Sequence, residues 1–348
     1  MSEPRHQMTK AFITGIAGTT LNAYEQAFIE AERPWGFILF KRNIETPEQV
    51  ARLVTELKEC AGRNDIAVLI DQEGGRVQRL GPPHWPAYPP GALFGKLYDL
   101  DRTFGLSAAR LSTRLIAADL SELGITVDCL PLADVPVAGA DAVIGNRAYG
   151  TEPGKVAAIA RAVTDGLEQG GILPVLKHIP GHGRANADSH LRLPTVDTPL
   201  KELERTDFAA FRPLADLPMA MTAHVVFSAL DPVHPATTSA TIINQVIRGV
   251  IGFQGLLMSD DVSMNALSGS IAERTRAAFL AGCDMVLHCN GDLAEMREVA
   301  AETPELSGKA LQRAGDALAS RGAPQPFDRA LARAELEAMM SRVGTAGT

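Results

Sequence analysis

Eight short apolar runs recur along the chain, each followed by a longer stretch of helical character, and this alternation limits the fold more than any other feature. The runs span residues 11–16, 36–40, 66–70, 126–130, 173–176, 219–222, 255–259 and 285–288. They are almost continuously apolar, as strands buried on both faces should be. Between them lie helix signals. Thr46 followed by Pro47 supplies an N-cap and a proline at the first helical position, and Thr151-Glu152-Pro153 opens a second helix in the same way. Further helices are expected over 102–123, 200–214, 240–251 and 271–281, with two more near 304–320 and 329–343 after the last run. Parallel strands and crossover helices in this number predict an α/β chain folded as a (β/α)8 barrel of the TIM type. A doubly wound open sheet is the rival, but it would carry a glycine-rich phosphate turn after its first strand, and Gly15-Ile16-Ala17-Gly18 fits one poorly. No low-complexity linker divides the chain. The Pro-rich stretch 81–91 reads as a long loop, and 1–348 is expected to form a single barrel domain with extra closing helices at about 304–343.

Composition narrows the partners. Net charge is −8 and no dense run of Lys and Arg appears, which argues against a nucleic-acid partner. No stretch approaches the ~20 apolar residues of a spanning helix, so no membrane partner is expected either. Residues 1–10 are polar, and 11–18 are too short and glycine-broken for a secretion signal. Cys60, Cys129, Cys283 and Cys289 sit far apart or inside apolar runs and read as reduced thiols. A cytoplasmic monomer is the expectation.

In a barrel of this kind, chemistry gathers at the C-terminal ends of the strands. Those ends carry Lys41 and Arg42, Asp71, Asp134, Lys177 and His178, His224, Asp260 and Asp261, then His288 and Asn290. One charged residue where a strand surfaces needs no special explanation, but a ring of them suits a polar substrate. Three segments are more specific: Asp71-Gln72-Glu73-Gly74-Gly75-Arg76-Val77-Gln78-Arg79; Lys177-His178-Ile179-Pro180-Gly181-His182-Gly183 with Asp188-Ser189-His190 beyond it; and Ser259-Asp260-Asp261-Val262-Ser263-Met264. His178 and His182 are four apart, a zinc spacing when both share a helix face, but Pro180 and Gly181 between them break any regular helix. A metal-dependent barrel hydrolase using His178, His224, His288 and Asp260 remains the alternative from chemistry alone. No phosphate-loop pattern occurs.

Together with Gly145-Asn146-Arg147, these three segments resemble the family 3 glycoside hydrolases, and within them the single-domain bacterial β-N-acetylglucosaminidases of peptidoglycan recycling. The resemblance runs from about residue 11 to about 293. It implies a retaining enzyme that removes terminal β-linked N-acetylglucosamine (GlcNAc) from muropeptides by double displacement, with consequences for cell-wall biogenesis, cell shape and division. Asp260 then matches the nucleophile, and Asp188 with His190 matches an acid/base pair in which the imidazole first protonates the leaving oxygen and later deprotonates water. Asp71, Arg79, Arg147, Lys177 and His178 match sugar-binding positions, with the two cations Lys177 and Arg147 raising the local potential around Asp260. His182 is expected to brace its loop, and His224 and Asp261 to support the site from behind. No cofactor and no metal are implied. The alternatives within the family are a β-hexosaminidase acting on another glycan and a phosphorylase, because a histidine donor does not repel phosphate as a carboxylate does. Of the two adjacent acids, Asp260 shares a strand face with Leu256 and Met258, and Asp261 with Leu257 and Ser259; alternation lets only one face the barrel mouth.

Overall fold

The computed structural model describes residues 9–189 and 191–345. Among them, eight parallel strands close into a barrel. They are β1 (Lys10–Thr14), β2 (Pro34–Leu39), β3 (Ala67–Ile70), β4 (Val127–Asp128), β5 (Leu173–Ile179), β6 (Met219–Thr222), β7 (Leu256–Asp261) and β8 (Met285–His288). Each pairs with its sequence neighbours, and the ring shuts where Phe12 of β1 lies beside Val286 of β8. All eight expected runs are strands, in the expected order. Helices fill the crossovers, as the (β/α)8 reading requires.

The strands are apolar on both faces because each face meets a different core. Ala67 and Leu69, Leu173 and Val175, and Leu256 and Met258 point into the barrel, where they form one buried cluster. Their neighbours Val68 and Ile70, Leu176 and Leu257 point outward into a larger cluster shared with the helices. The interior cluster also takes in Leu306, Ala314 and Ala317, so helix Gly308–Ala319 stops the N-terminal end of the barrel. Arg313 ties it there by an ion pair to Asp284, just before β8, at 2.8 Å. The last helix, Arg329–Thr345, lies instead against helix Arg102–Glu122, with Arg329 paired to Asp119 and Glu122.

Local signals explain most helix starts. Thr46 caps helix Pro47–Ala61 by accepting from the Gln49 amide, and Glu152, not Thr151, caps Pro153–Gln169. Ser270 and Glu273 form a reciprocal capping box at the start of Ile271–Ala281. Three expectations need correction. The stretch 200–214 is not one helix but Leu200–Arg205, Asp207–Phe211 and a 3₁₀ turn Arg212–Leu214. It breaks at Thr206, whose hydroxyl lies 2.7 Å from the Glu202 carbonyl, while Arg184 draws in the Asp207 carboxylate. The stretch 240–251 becomes a π-wound helix, Ile242–Ile251. And β5 and β7 run on past 176 and 259, so Lys177, His178, Asp260 and Asp261 lie within strands, not beyond them.

Candidate active site

Strand alternation carries the barrel interior directly into a charged layer. Counting by twos from the buried core, Leu69 leads to Asp71 and Val175 to Lys177. Strands β5 and β7 then each gain one residue, between Leu176 and Ile179 and between Met258 and Asp261, so that His178 joins Lys177 and Asp261 joins Asp260 at the cavity. These polar residues, with Arg79, Arg147, His182 and Asp188, line a cavity of about 470 Å³ at the C-terminal mouth, floored by Ile38, Met221 and Leu287. That volume lies within the range of small-ligand sites. The structure thus brings together every expected site residue it describes; His190 lies outside the described residues.

The cations are held by two carboxylates. Lys177, 2% exposed, places its Nζ 2.9 Å from Asp71 Oδ1 and 2.7 Å from Glu73 Oε1. Arg79 donates to the other Asp71 oxygen at 2.9 Å. Arg147 grips Glu73 with two parallel bonds of 2.9 and 2.8 Å, the fork geometry that only arginine provides. Burial by itself would push both carboxyls up; Lys177 and its arginine partners outweigh it, holding Asp71 well below the usual carboxylate range and Glu73 at about 2. The same pairs overcome burial to keep Lys177 and Arg147 charged. Here one expectation changes. The charges of Lys177 and Arg147 are taken up by Asp71 and Glu73, because two buried cations need carboxylates within bonding distance, so they are not directed chiefly at Asp260.

Glu73 is the residue that sequence reasoning passed over. It stood in the quoted motif beside Asp71, but nothing local showed that Arg147 and Lys177 would converge on it. Its glycine neighbours also have work to do. Gly74, at φ +94°, brings the chain against the backbone of Pro89, where a Cβ would collide, and so turns the motif back under the mouth.

Asp134 organises the histidines. Its Oδ2 lies 2.8 Å from His178 Nδ1, and its Oδ1 accepts the backbone N–H of His182 at 2.7 Å and that of His178 at 3.3 Å. Burial would raise the Asp134 carboxyl, but His178 and His182 hold it below the ordinary value. With Nδ1–H given to a carboxylate, Nε2 is the His178 nitrogen left for the cavity. His182 is pushed down to about 4 by burial and by His178, so its ring is neutral.

The expectation that only one of the two acids on β7 faces the mouth does not hold: the strand gains one residue between Met258 and Asp261, and both acids line the cavity, held by different bonds. The Asp260 carboxylate accepts the Asp261 amide on Oδ1 at 2.8 Å and follows Leu256 and Met258 on the interior face. Asp261 reaches the cavity wall too, but both its oxygens are engaged: Oδ2 with the Ser263 hydroxyl at 2.6 Å, and Oδ1 with the amides of Ser263 and Cys289. His224 supports it from behind, bonding the Asp261 carbonyl at 2.9 Å and Thr237 at 2.7 Å. His288 turns to Glu295, which Asn290 also contacts. His224 and His288 are therefore occupied elsewhere, and among the described residues no group of three or more His, Cys, Asp or Glu side chains is placed to hold a metal ion.

The arrangement can bind a polyhydroxylated ring through alternating acids and cations and present carboxylates to one of its carbons. Comparison with known proteins identifies the family. The family model described as Glycosyl hydrolase family 3 N terminal domain matches residues 7–316. A β-hexosaminidase of Alkalilimnicola ehrlichii is 39% identical over 280 residues, 79% of each chain. One from Bordetella pertussis is 37% identical over 287 residues, 80% of each. NagZ from Neisseria gonorrhoeae, solved in complex with N-trifluoroacetyl-D-glucosamine, aligns over 99% of both chains with a TM-score of 0.83 at 32% identity.

Proposed function

Because the chain belongs to glycosyl hydrolase family 3, as a β-N-acetylhexosaminidase, we propose that it removes terminal β-linked GlcNAc from muropeptides with retention of configuration. One observation carries the reading: Asp71, Lys177, Arg79 and, through Glu73, Arg147 form a single bonded network at a 470 Å³ cavity whose lining also includes Asp260 and Asp188. The network binds the hydroxyls of the terminal sugar, with His178 Nε2 beside it. In the first step the Asp260 carboxylate attacks the anomeric carbon while His190, oriented by Asp188, protonates the departing oxygen. In the second, the neutral imidazole takes a proton from water, and the resulting hydroxide cleaves the glycosyl ester and frees Asp260. The substrate is a disaccharide or muropeptide released during wall turnover, and the enzyme a cytoplasmic monomer whose residues 1–348 form one catalytic unit.

The test is to incubate the protein with a chromogenic β-GlcNAc glycoside and follow the anomeric configuration of the product by NMR, with and without chelator, in phosphate and in non-phosphate buffer. The reading expects free β-GlcNAc first, unaffected by chelator. An inverted product contradicts double displacement, GlcNAc-1-phosphate identifies a phosphorylase, and chelator sensitivity restores the metal alternative.

A further inference from the structure

His182 and Ser189 are the buried polar residues of the cavity wall that the steps above leave unused. His182 Nε2 lies 3.0 Å from Ser189 Oγ, and both side chains are almost wholly buried. The backbone of His182 is fixed in turn by Asp134, the same carboxylate that orients His178. On its other side Ser189 is held by the loop after β7: its carbonyl accepts the Ala266 amide at 3.2 Å. Ser189 therefore joins the loop after β5 to the loop after the strand that bears Asp260. The approach of this loop to its neighbours is close. A Cβ on Gly183 would collide with the backbone of Val135, and Val137 donates to the Gly183 carbonyl.

Ser189 also sits between Asp188 and His190 in the sequence, so an anchor on it acts next to that pair. Just beyond, the amides of Leu191 and Arg192 both donate to the Asp188 carbonyl at 3.0 Å, a second hold on Asp188. A serine with one side-chain anchor and one backbone anchor on two different loops is a fixed point, and the donor pair flanks it.

We propose that Ser189 and His182 are positioning residues for proton donation, acting as a latch that ties the chain at Asp188, next to the donor, to the loop after the Asp260 strand. Neither touches the reacting atoms. The Asp134–His182–Ser189 chain makes the placement of the donor depend on the same buried carboxylate that orients His178, so sugar binding and proton delivery share one anchor. Because burial and His178 push the His182 ring down to about 4, it is neutral at neutral pH and the latch does not change charge there. The proposal rests on the donor role given to His190 above.

The experiment compares kcat/KM, which reports the first step, for two substrates: N,N′-diacetylchitobiose, whose sugar leaving group needs a proton, and 2,4-dinitrophenyl β-GlcNAc, whose leaving group does not. Misplacing a donor by a fraction of a bond length costs on the order of 10- to 100-fold. Ser189→Ala should lose about that much on the disaccharide and less than about twofold on the dinitrophenyl glycoside, with thermal stability little changed. His182→Gln, which keeps a nitrogen near the Nε2 position, should retain more disaccharide activity than His182→Leu. Equal losses on both substrates, or no loss on either, overturn the latch. His190→Ala serves as the reference: if it shows no dependence on leaving group, the donor assignment falls and the latch with it. If His190→Ala shows the dependence and Ser189→Ala does not, only the latch falls.

Discussion

Replacing Glu73 with Gln removes one negative charge from beneath the sugar site and leaves the shape nearly the same. The side chain is 4% exposed and receives two bonds from Arg147 and one contact from Lys177. Its carboxyl is held at about 2 against an ordinary 4.5, a difference that corresponds to about 3 kcal/mol of folding free energy at neutral pH. Breaking a buried pair from one side costs a comparable ~3–5 kcal/mol, because the partner cations stay buried. With an unfolding entropy of about 2 cal/mol/K per residue, a chain of this length should melt about 4 °C lower for each ~3 kcal/mol lost. The sign with pH follows from the folded carboxyl lying below its unfolded value. The stabilisation is complete above pH 4.5 and drains away as pH falls toward 2, so the gap between wild type and variant should narrow to about 1 kcal/mol at pH 3. Thermal and urea unfolding at pH 7, 5 and 3 measure this directly, and KM for a GlcNAc glycoside should rise as Arg147 and Lys177 lose their shared anchor. A melting difference under about 1 °C at pH 7, or one equally large at pH 3, would refute the reasoning.

Other residues give sharper contrasts. Asp128 is buried with Oδ2 unpartnered among the described residues, and burial raises its carboxyl well above the usual value. Its penalty therefore grows as pH rises, and Asp128→Asn should stabilise the fold at pH 7 by about 1–2 kcal/mol in urea unfolding, with no gain at pH 3. Arg147→Lys keeps the charge but loses the fork to Glu73, so KM should rise about tenfold in steady-state assays while kcat changes less. Asp260→Asn should cut turnover at least about 1000-fold without lowering the melting temperature. Asp261→Asn, which disturbs the bonds to Ser263, should cost under about tenfold in turnover and show its main effect in stability.

The barrel was legible in the sequence because its strands lie in short runs that are largely apolar on both faces and alternate with helical stretches. Alternation alone favoured Asp260 only weakly over Asp261, and the family resemblance made the choice. Leu256 and Met258 are barrel interior and Leu257 faces the helices, but the strand gains a residue between Met258 and Asp261, and both acids line the cavity. Helix Ala23–Glu32 went unread even though Asn22 and Glu25 spell a capping box, since its apolar stripe is weak. Gly91–Leu100 was hidden behind the prolines of the preceding loop. The kink at Thr206 depends on Arg184, a residue on another loop, and no local pattern carries that information. The site divides in the same way. Residues that follow a strand by alternation, Asp71, Lys177 and Asp260, were visible one by one. Glu73 and Asp134 take their roles from partners on other strands and loops, and those pairings exist only once the barrel has closed.

The central claim is that Asp260 becomes covalently bonded to the sugar. A 5-fluoro GlcNAc donor with an activated leaving group slows both steps, and the excellent leaving group lets the ester accumulate. Digestion and mass spectrometry should then find one added glycosyl unit on the peptide containing Asp260, with fragmentation placing it on that residue and not on Asp261. Sugar on Asp261, or an oxazoline product with no labelled peptide, would contradict the account.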